Sequence, residues 1–122
     1  MGWIRHHAIV VTSWNGELLK EALTKATDLG CAVSGVVDSQ INGYQSFLIA
    51  PDGSKEGWDD SENGDHRREA FKAWTHSKQH EDGSSSLRWA EVLFGDDDYQ
   101  VAVTDDSDVH MRAPTGNTGD LK

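Results

Sequence analysis

Several short stretches of the chain carry apolar side chains at successive positions rather than at every second one. They lie at residues 3–13, 32–38, 44–50 and 87–94. Because successive side chains of a strand point to opposite faces, these stretches are predicted to be strands that are apolar on both faces. A fifth stretch, residues 99–104, alternates apolar and polar side chains and is predicted to be the last strand.

A first helix is predicted between the first two strands, at residues 17–29. Its apolar side chains recur at the helical period, which predicts one buried face. Asn15 is the expected N-cap, and Gly30 stands where a helix usually ends.

A second helix is predicted to begin between Asp60 and Asp65 and to end near His80. Carboxylates at its start are favourable because they face the positive end of the helix dipole. Its buried side is predicted to contain Ala70, Phe71, Trp74 and Arg67.

The dipeptide Asn42-Gly43 predicts a tight hairpin between the second and third strands. A two-residue type I′ turn needs positive φ at both central positions, and Asn-Gly meets this need well. The predicted pairs are Ile41 with Tyr44, Val37 with Leu48 and Val36 with Ile49. The last two pairs point to opposite faces, so this hairpin is expected to be covered on both sides.

The resulting order, β-α-β-β-α-β with one further strand, predicts a ferredoxin-like α+β sandwich with an antiparallel sheet. Residues 1–104 are expected to form this single domain, and residues 105–122 a flexible polar tail. Two helices cover one face of the sheet, yet the strands are apolar on both faces. We therefore predict a two-fold homodimer that buries the open sheet face.

Length and composition narrow the class of protein. A chain of 122 residues is the size of one domain. The single cysteine allows no internal disulfide, which is typical of a reducing compartment. No apolar run of about 20 residues and no basic-then-apolar leader are present. The expectation is a cytoplasmic protein without membrane contact.

The charge is strongly negative and unevenly placed. The formal net charge is −10, with six acidic residues in residues 51–66 and six in residues 95–108. Such a surface repels a nucleic acid backbone, so we predict no direct nucleic acid binding. It attracts a basic protein surface or imitates a phosphate backbone; solubility alone is the alternative explanation.

Trp58 lies in a glycine-flanked loop directly before two acidic residues. A tryptophan in this position serves either as a cover for the edge of the core or as an anchor for a partner. The predicted binding surface combines it with nearby charges. It consists of Lys55, Trp58, Asp59, Asp60, Asp96, Asp97 and Asp98.

The sequence contains no complete catalytic or metal-binding pattern. Residues 59–64 resemble the start of a calcium loop, but Ala70 stands where the bidentate glutamate is needed. His76 and His80 have the spacing of two zinc ligands on a helix, but Ser77 stands where the zincin pattern has glutamate. We predict no catalytic residue, no metal and no cofactor.

The run GYQSFLIAPDGSKEGW at residues 43–58, with DGSSS at residues 82–86, resembles small uncharacterised bacteriophage proteins. The resemblance extends over roughly residues 3–105 and brings no catalytic residues with it. It implies a small acidic protein made in the cytoplasm of an infected bacterium, where inhibitors of host defence are a common role. The expected function is therefore a non-enzymatic binding protein that inhibits a host protein through the acidic surface and the Trp58 loop.

Two alternatives remain open from the sequence. The first is a protein that sequesters a nucleotide-like signal on the open sheet face or at the turn after the first strand. Its predicted ligand-binding residues are Arg5, His7, Trp14 and Trp89, with Arg88 as a further cation. The second is a small hydrolase with Cys31 as its nucleophile, for which the sequence indicates no partner base.

Overall fold

The computed structural model describes residues 6–54, 58–80, 85–95 and 101–108. The strands are β1 (His6–Ser13), β2 (Val37–Asp38), β3 (Gln45–Ile49), β4 (Leu87–Phe94) and β5 (Ala102–Asp106). The helices are α1 (Gly16–Asp28) and α2 (Asp59–His76). The strands form one antiparallel sheet in the order β2-β3-β1-β4-β5. This is the predicted ferredoxin-like α+β sandwich, with the fifth strand added beside β4.

The hydrophobic core lies between the helices and the inner face of the sheet, the face that the helices cover. Ile9 and Val11 of the central strand β1 are fully buried on this face. Val11 is aligned with Phe47 on one side and with Trp89 on the other. The remaining core side chains from strands and helices are Leu19, Ala22, Ala26, Ile49, Phe71 and Leu87.

Helix α1 begins and ends one residue earlier than predicted, and it has the predicted N-cap, Asn15. The Asn15 side chain accepts a hydrogen bond from the backbone N–H of Leu18 at 3.2 Å. This bond satisfies one of the helix N–H groups that lack a partner within the helix. At the other end Gly30 has a φ of 89°, the left-handed conformation in which glycine is favoured.

The hairpin between β2 and β3 forms, but the predicted register is wrong by two residues. Val37 pairs with Ser46 rather than with Leu48, and the backbone N–H of Ser39 donates to the carbonyl of Tyr44 at 2.8 Å. Residues 40–43 therefore form a four-residue loop instead of a two-residue turn. The predicted pair of Ile41 with Tyr44 is absent for the same reason.

A serine side chain explains why β2 is short. Leu48 donates its backbone N–H to the Ser34 hydroxyl at 2.8 Å, where a regular strand would offer a carbonyl. Val33 forms the bridge to Ile49 that was predicted for Val36. One extra residue is accommodated between Val33 and Val37, and Val36 is left exposed at the edge of the sheet.

Helix α2 begins at Asp59 and ends at His76, so it starts and stops earlier than predicted. Phe71 is buried as expected, but Arg67 is exposed, and Ala70 and Trp74 are half-buried. The buried side of the helix consists of Ser61, Gly64, Arg68, Phe71, Lys72 and Thr75. This set follows the helical period, but most of its members are polar. The prediction from apolar positions is therefore confirmed for Phe71 and in part for Trp74, which packs against the core, but it missed the polar residues of the buried side.

Strand β5 carries the fold beyond the predicted domain boundary at residue 104. It extends to Asp106, and the buried Ser107 accepts the backbone N–H of Trp89 with its hydroxyl at 3.1 Å. The register against β4 shifts by one residue between Glu91 and Val92, which leaves Thr104 as an extra residue in β5. This bulge turns Val103 to the outer face and Asp105 to the inner face. The remainder of the predicted tail, residues 109–122, lies outside the described residues.

The outer face of the sheet, called the open face below, has no helix on it in the described part of the chain. Its side chains are His6, Ala8, Val10, Thr12, Val37, Ser46, Leu48, Arg88, Ala90, Val92, Phe94, Val103 and Asp106. Val10 is 47% exposed and Val103 is 63% exposed. The prediction of apolar side chains on both faces is thus confirmed for β1 and β4. Neither described helix is long and apolar enough to cross a bilayer.

The contact between α2 and β4 provides a stability prediction. The Thr75 hydroxyl accepts the indole N–H of the buried Trp89 at 3.1 Å. Thr75→Val keeps the shape of the side chain but leaves that N–H without an acceptor, so we expect a loss of about 1–3 kcal/mol in the free energy of unfolding. Thr27→Val is the matched control, because the Thr27 hydroxyl is exposed on α1 and donates to Leu23. Urea unfolding followed by circular dichroism measures both, and equal effects would contradict the assigned role of Thr75.

Candidate functional site

A cluster of charged side chains lies between α2 and the inner face of β4 and β5, and we call it the Glu91 network. Arg68, Lys72 and Glu91 are each at most 5% exposed. Lys72 donates to Glu91 at 2.7 Å and to Glu69 at 2.8 Å, and its ammonium lies 3.3 Å from Asp105. Arg68 contacts further carboxylates, one on α2 and one in the loop after β3.

The contacts of Arg68 tie the beginning of α2 to the loop after β3. Its guanidinium donates to Asp52 at 3.3 Å and also to Asp65, and its Nε lies 3.7 Å from the Glu91 carboxylate. Gly64 leaves room for this arrangement, because a Cβ at that position would collide with the Asp52 carboxylate. The helix is therefore held to the sheet and to the loop by the same side chain.

Each carboxylate oxygen of Glu91 lies close to two polar side chains. Oε1 accepts from Lys72 and from the Thr104 hydroxyl at 2.9 Å, and Oε2 faces Arg68 and the Nδ1 of His7 at 4.0 Å. Such sharing is what a buried charge requires, because an uncompensated carboxylate in the core costs several kcal/mol. The network therefore fixes α2 on the sheet.

The electrostatics of the network favour the charged forms of two residues, Lys72 and Asp52. Burial lowers the pKa of Lys72, but the hydrogen bonds to Glu69 and Glu91 outweigh it, and the pKa lies above its ordinary value. Partial burial raises the pKa of Asp52, but the hydrogen bonds from Ser54 and Arg68 together bring it below its ordinary value. Lys72 therefore stays a cation and Asp52 a carboxylate near neutral pH.

Cys31 borders a small cavity of about 250 Å³ beside Arg67 and Arg68. Burial raises the pKa of the thiol, and the two arginines oppose this shift without cancelling it. A thiol with a raised pKa is a poor nucleophile at neutral pH. The raised pKa of the Cys31 thiol thus adds no support for the hydrolase alternative.

The two segments that suggested metal binding have other roles. Residues 59–64 form the start of α2, and α2 ends at His76, so His80 does not share a helical face with it. His80 lies 3.5 Å from the Ser86 hydroxyl. Among the described residues, no group of three histidine, cysteine or acidic side chains is placed to hold a metal ion.

The predicted protein-binding residues that are described lie together at the start of α2. Trp58 precedes the helix and is 50% exposed, and Asp59 and Asp60 are exposed in its first turn. We call Trp58, Asp59, Asp60 and the exposed Glu62 the acidic end. The other predicted members, Lys55, Asp96, Asp97 and Asp98, lie outside the described residues.

The residues predicted for a small ligand are not brought together. His7 and Trp89 point to the inner face, where His7 approaches Glu91 and Trp89 is 4% exposed. Trp14 lies just beyond the end of β1 and is exposed, and Arg5 lies outside the described residues. No site containing both Trp14 and Trp89 forms in the described part of the chain.

Trp14 instead lines a groove at the end of the sheet, which we call the aromatic groove. The groove has a volume of about 470 Å³ and is lined by Trp14, Tyr44, His80, Ser85, Ser86 and Arg88. The guanidinium of Arg88 donates to the Ser85 carbonyl at 3.2 Å and to Asp108 at 2.8 Å, which fixes its plane. Two exposed aromatic rings and an oriented cation thus face one space.

Sequence reasoning missed the Glu91 network, although one signal for it is present. Glu91 has the same parity in β4 as Leu87, Trp89 and Leu93, so it must point inward with them. An inward carboxylate calls for a buried cation, and Arg68 and Lys72 are the basic residues spaced one turn apart on the neighbouring helix.

Comparison with protein-family models, with curated proteins and with solved structures finds no match for this chain. Its own residues and their geometry therefore provide the basis for a proposed function.

Removing the charge of Glu91 tests the role assigned to the network. Glu91→Gln keeps the size of the side chain but leaves the buried Lys72 and Arg68 without their shared carboxylate, so we expect a loss of about 3 kcal/mol in the free energy of unfolding. Glu69→Gln removes an exposed partner of the same Lys72, and there we expect a loss below about 1 kcal/mol. Chemical denaturation of both variants measures the difference, and a similar small loss in each would show that the network is not what holds α2.

Proposed function

We propose that this chain is a non-enzymatic binding protein whose acidic end engages a basic surface on another protein. The observation that carries the proposal is a half-exposed indole at the N-cap of α2, followed directly by exposed carboxylates in the first turn of the helix. Following the resemblance to bacteriophage proteins, the proposed partner is a host protein in the cytoplasm of an infected bacterium. The proposed effect is inhibition of that protein.

The backbone of the acidic end is well fixed. The carbonyl of Trp58 accepts the backbone N–H groups of Ser61 at 3.0 Å and of Glu62 at 3.2 Å. About two turns further on, Arg68 holds α2 to Asp52 and to Glu91. A side chain presented by a rigid backbone loses less entropy on binding, which favours its use as an anchor.

The chemistry of the acidic end indicates a basic partner. Residues 58–65 contain four acidic residues besides the indole and no lysine or arginine. An arginine or lysine of the partner can lie over the face of the Trp58 ring and pair with a neighbouring carboxylate. Long-range attraction by the net charge of −10 would speed the encounter, so binding should weaken with salt.

The pKa shifts in the described residues support a non-enzymatic role. A general base is favoured by a raised carboxylate pKa or a lowered lysine pKa, and a thiol nucleophile by a lowered thiol pKa. The shifts of Asp52, Lys72 and Cys31 all have the opposite direction.

Capture of a partner from a bacterial lysate tests the acidic end. At low salt the immobilised wild-type chain should retain a protein that Trp58→Ser and the double variant Asp59→Asn/Asp60→Asn retain at least about tenfold less, since a central aromatic anchor contributes 2 kcal/mol or more. Trp14→Ser is the matched control, because Trp14 is also an exposed tryptophan, at 59%, on another part of the surface.

Quantitative mass spectrometry of the retained proteins at several salt concentrations gives the comparison. Circular dichroism should show an unchanged fold in every variant. Equal retention by the wild type and Trp58→Ser, or no retained protein at low salt, would overturn the proposal.

A second candidate function is sequestration of a small planar anion in the aromatic groove. The groove offers Trp14 and Tyr44 for stacking and Arg88 for an anionic group, and its volume lies in the range of small-molecule sites. It provides these groups at the end of the sheet, whereas the open face has few polar groups beyond Thr12, Ser46 and Arg88. A nucleoside monophosphate has the matching chemistry.

Calorimetric titration with AMP and GMP tests this candidate. Binding should weaken at least about tenfold in Trp14→Leu and in Arg88→Gln, because each removes one of the two recognition elements. Trp58→Leu is the control and should bind like the wild type. The absence of heat at millimolar nucleotide, or equal affinity in all variants, would count against the groove as a ligand site.

A further inference from the structure

We infer that the open face is the interface of a two-fold homodimer of this chain. The inference goes beyond the proposed function and does not depend on it, because it concerns the other side of the molecule from α2. It starts from the distribution of apolar and charged side chains on the sheet.

The apolar part of the open face extends across four strands. Val10 of β1 is aligned with Leu48 on β3 and with Ala90 on β4. Val92 of β4 is aligned with Val103 on β5. Phe94 and Val101 add exposed apolar surface at the end of the sheet.

An apolar surface of this kind needs a partner, and the cost of leaving it in water is large. Burial of apolar area contributes about 25 cal/mol per Å². Contiguous apolar patches of several hundred Å² are uncommon on monomers and usually mark interaction surfaces. On β4 and β5, moreover, Glu91 and Asp105 point inward, while Val92 and Val103 point outward.

The charge distribution selects a second copy rather than a basic protein. A chain with a net charge of −10 repels its copy through most of its surface. The strand residues of the open face, however, carry one arginine and one aspartate: Arg88 is aligned with Thr12, and Asp106 lies on the edge strand β5. A basic partner would be drawn to the acidic surfaces, whereas two open faces can meet with little electrostatic repulsion at their centre.

The size of the face is sufficient for a dimer of moderate affinity. Two strands of eight residues and two of five cover about 400 Å² of sheet at the usual spacings. Two copies therefore bury about 800 Å² in projection, and more in accessible area because the side chains stand up from the sheet. This approaches the ~1,000 Å² at which specific interfaces begin.

The geometry of the pair follows from sheet packing. Two sheets that pack face to face lie about 10 Å apart and interdigitate their side chains. In an isologous pair each copy contributes the same residues, so Val10 and Val92 of both copies lie near the centre. The hydrogen-bonded hydroxyls of Thr12 and Ser46, 2.8 Å apart, and Arg88 stay at the polar border.

Sedimentation velocity and native mass spectrometry over a concentration range of about 1–500 µM test the inference. The wild type should convert from 13.4 kDa to twice that mass within this range. Val10→Lys and Val103→Lys should each raise the dissociation constant at least about tenfold, because a lysine ammonium is then placed in the apolar interface. Val10 is 47% exposed and Val103 63% exposed in the monomer, so the fold should tolerate the substitutions.

Ile41→Lys is the matched control. Ile41 is an apolar residue that is 73% exposed in the hairpin loop, outside the open face. The substitution adds the same charge as Val10→Lys, so general electrostatic effects on association are equal in the two variants. Dimerisation of Ile41→Lys should match that of the wild type.

Two outcomes would overturn the inference. A wild-type chain that remains monomeric throughout the range would mean that another class of partner covers the open face. A dimer that survives unchanged in both Val10→Lys and Val103→Lys would mean that the copies meet elsewhere. Thermal unfolding of each variant, expected to remain cooperative, separates loss of association from loss of the fold.

Discussion

Glu91 places a negative charge on the inner face of the sheet, between Trp89 and Leu93, and a charge in this position has to be matched. Lys72 and Arg68 supply the matching cations from α2, and Thr104 supplies a hydroxyl. A buried ion pair of this kind contributes less to stability than to the choice of one arrangement, because alternative positions of the helix would leave the charges unpaired. The position of α2 is thus determined by charge as well as by the packing of Phe71.

The inward position of these charged side chains also determines which surfaces remain available to other molecules. On β4 and β5 the carboxylates of Glu91 and Asp105 point inward, and the neighbouring side chains of Val92 and Val103 point outward. The result is a sheet whose open face is the less charged side, while the carboxylates collect at the beginning of α2. Two separate surfaces of opposite character arise in this way from a single small domain.

The predictability of each element follows from whether its buried side is apolar. Strands β1 and β4 and helix α1 bury apolar side chains, so alternation and helical period located them within a few residues. The buried side of α2 contains Arg68, Lys72 and Thr75, so a pattern of apolar positions identified only Phe71 among its members. The hairpin register depended on the Ser34 hydroxyl acting as an acceptor, which no pattern of apolar residues reveals.

The candidate sites likewise differ in how far the sequence alone could predict them. Trp58 and its acidic neighbours were found because they are adjacent in the sequence. The aromatic groove joins Trp14, Tyr44 and Arg88 from three separate segments, and their proximity depends on the pairing of β1 with β3 and β4. The Glu91 network depends on five segments and on a bulge, so spacing along the chain could indicate it only through the inward parity of Glu91.

The bulge at Thr104 has a consequence for the edge of the sheet. An edge strand offers free backbone N–H and C=O groups, and a regular one invites a further strand and, eventually, fibrous aggregation. In β5 the extra residue interrupts the regular ladder, and Asp106 adds a carboxylate beside it. Both features discourage a further strand from adding to this edge, so among the described strands the sheet ends at β5 instead of growing into a fibre.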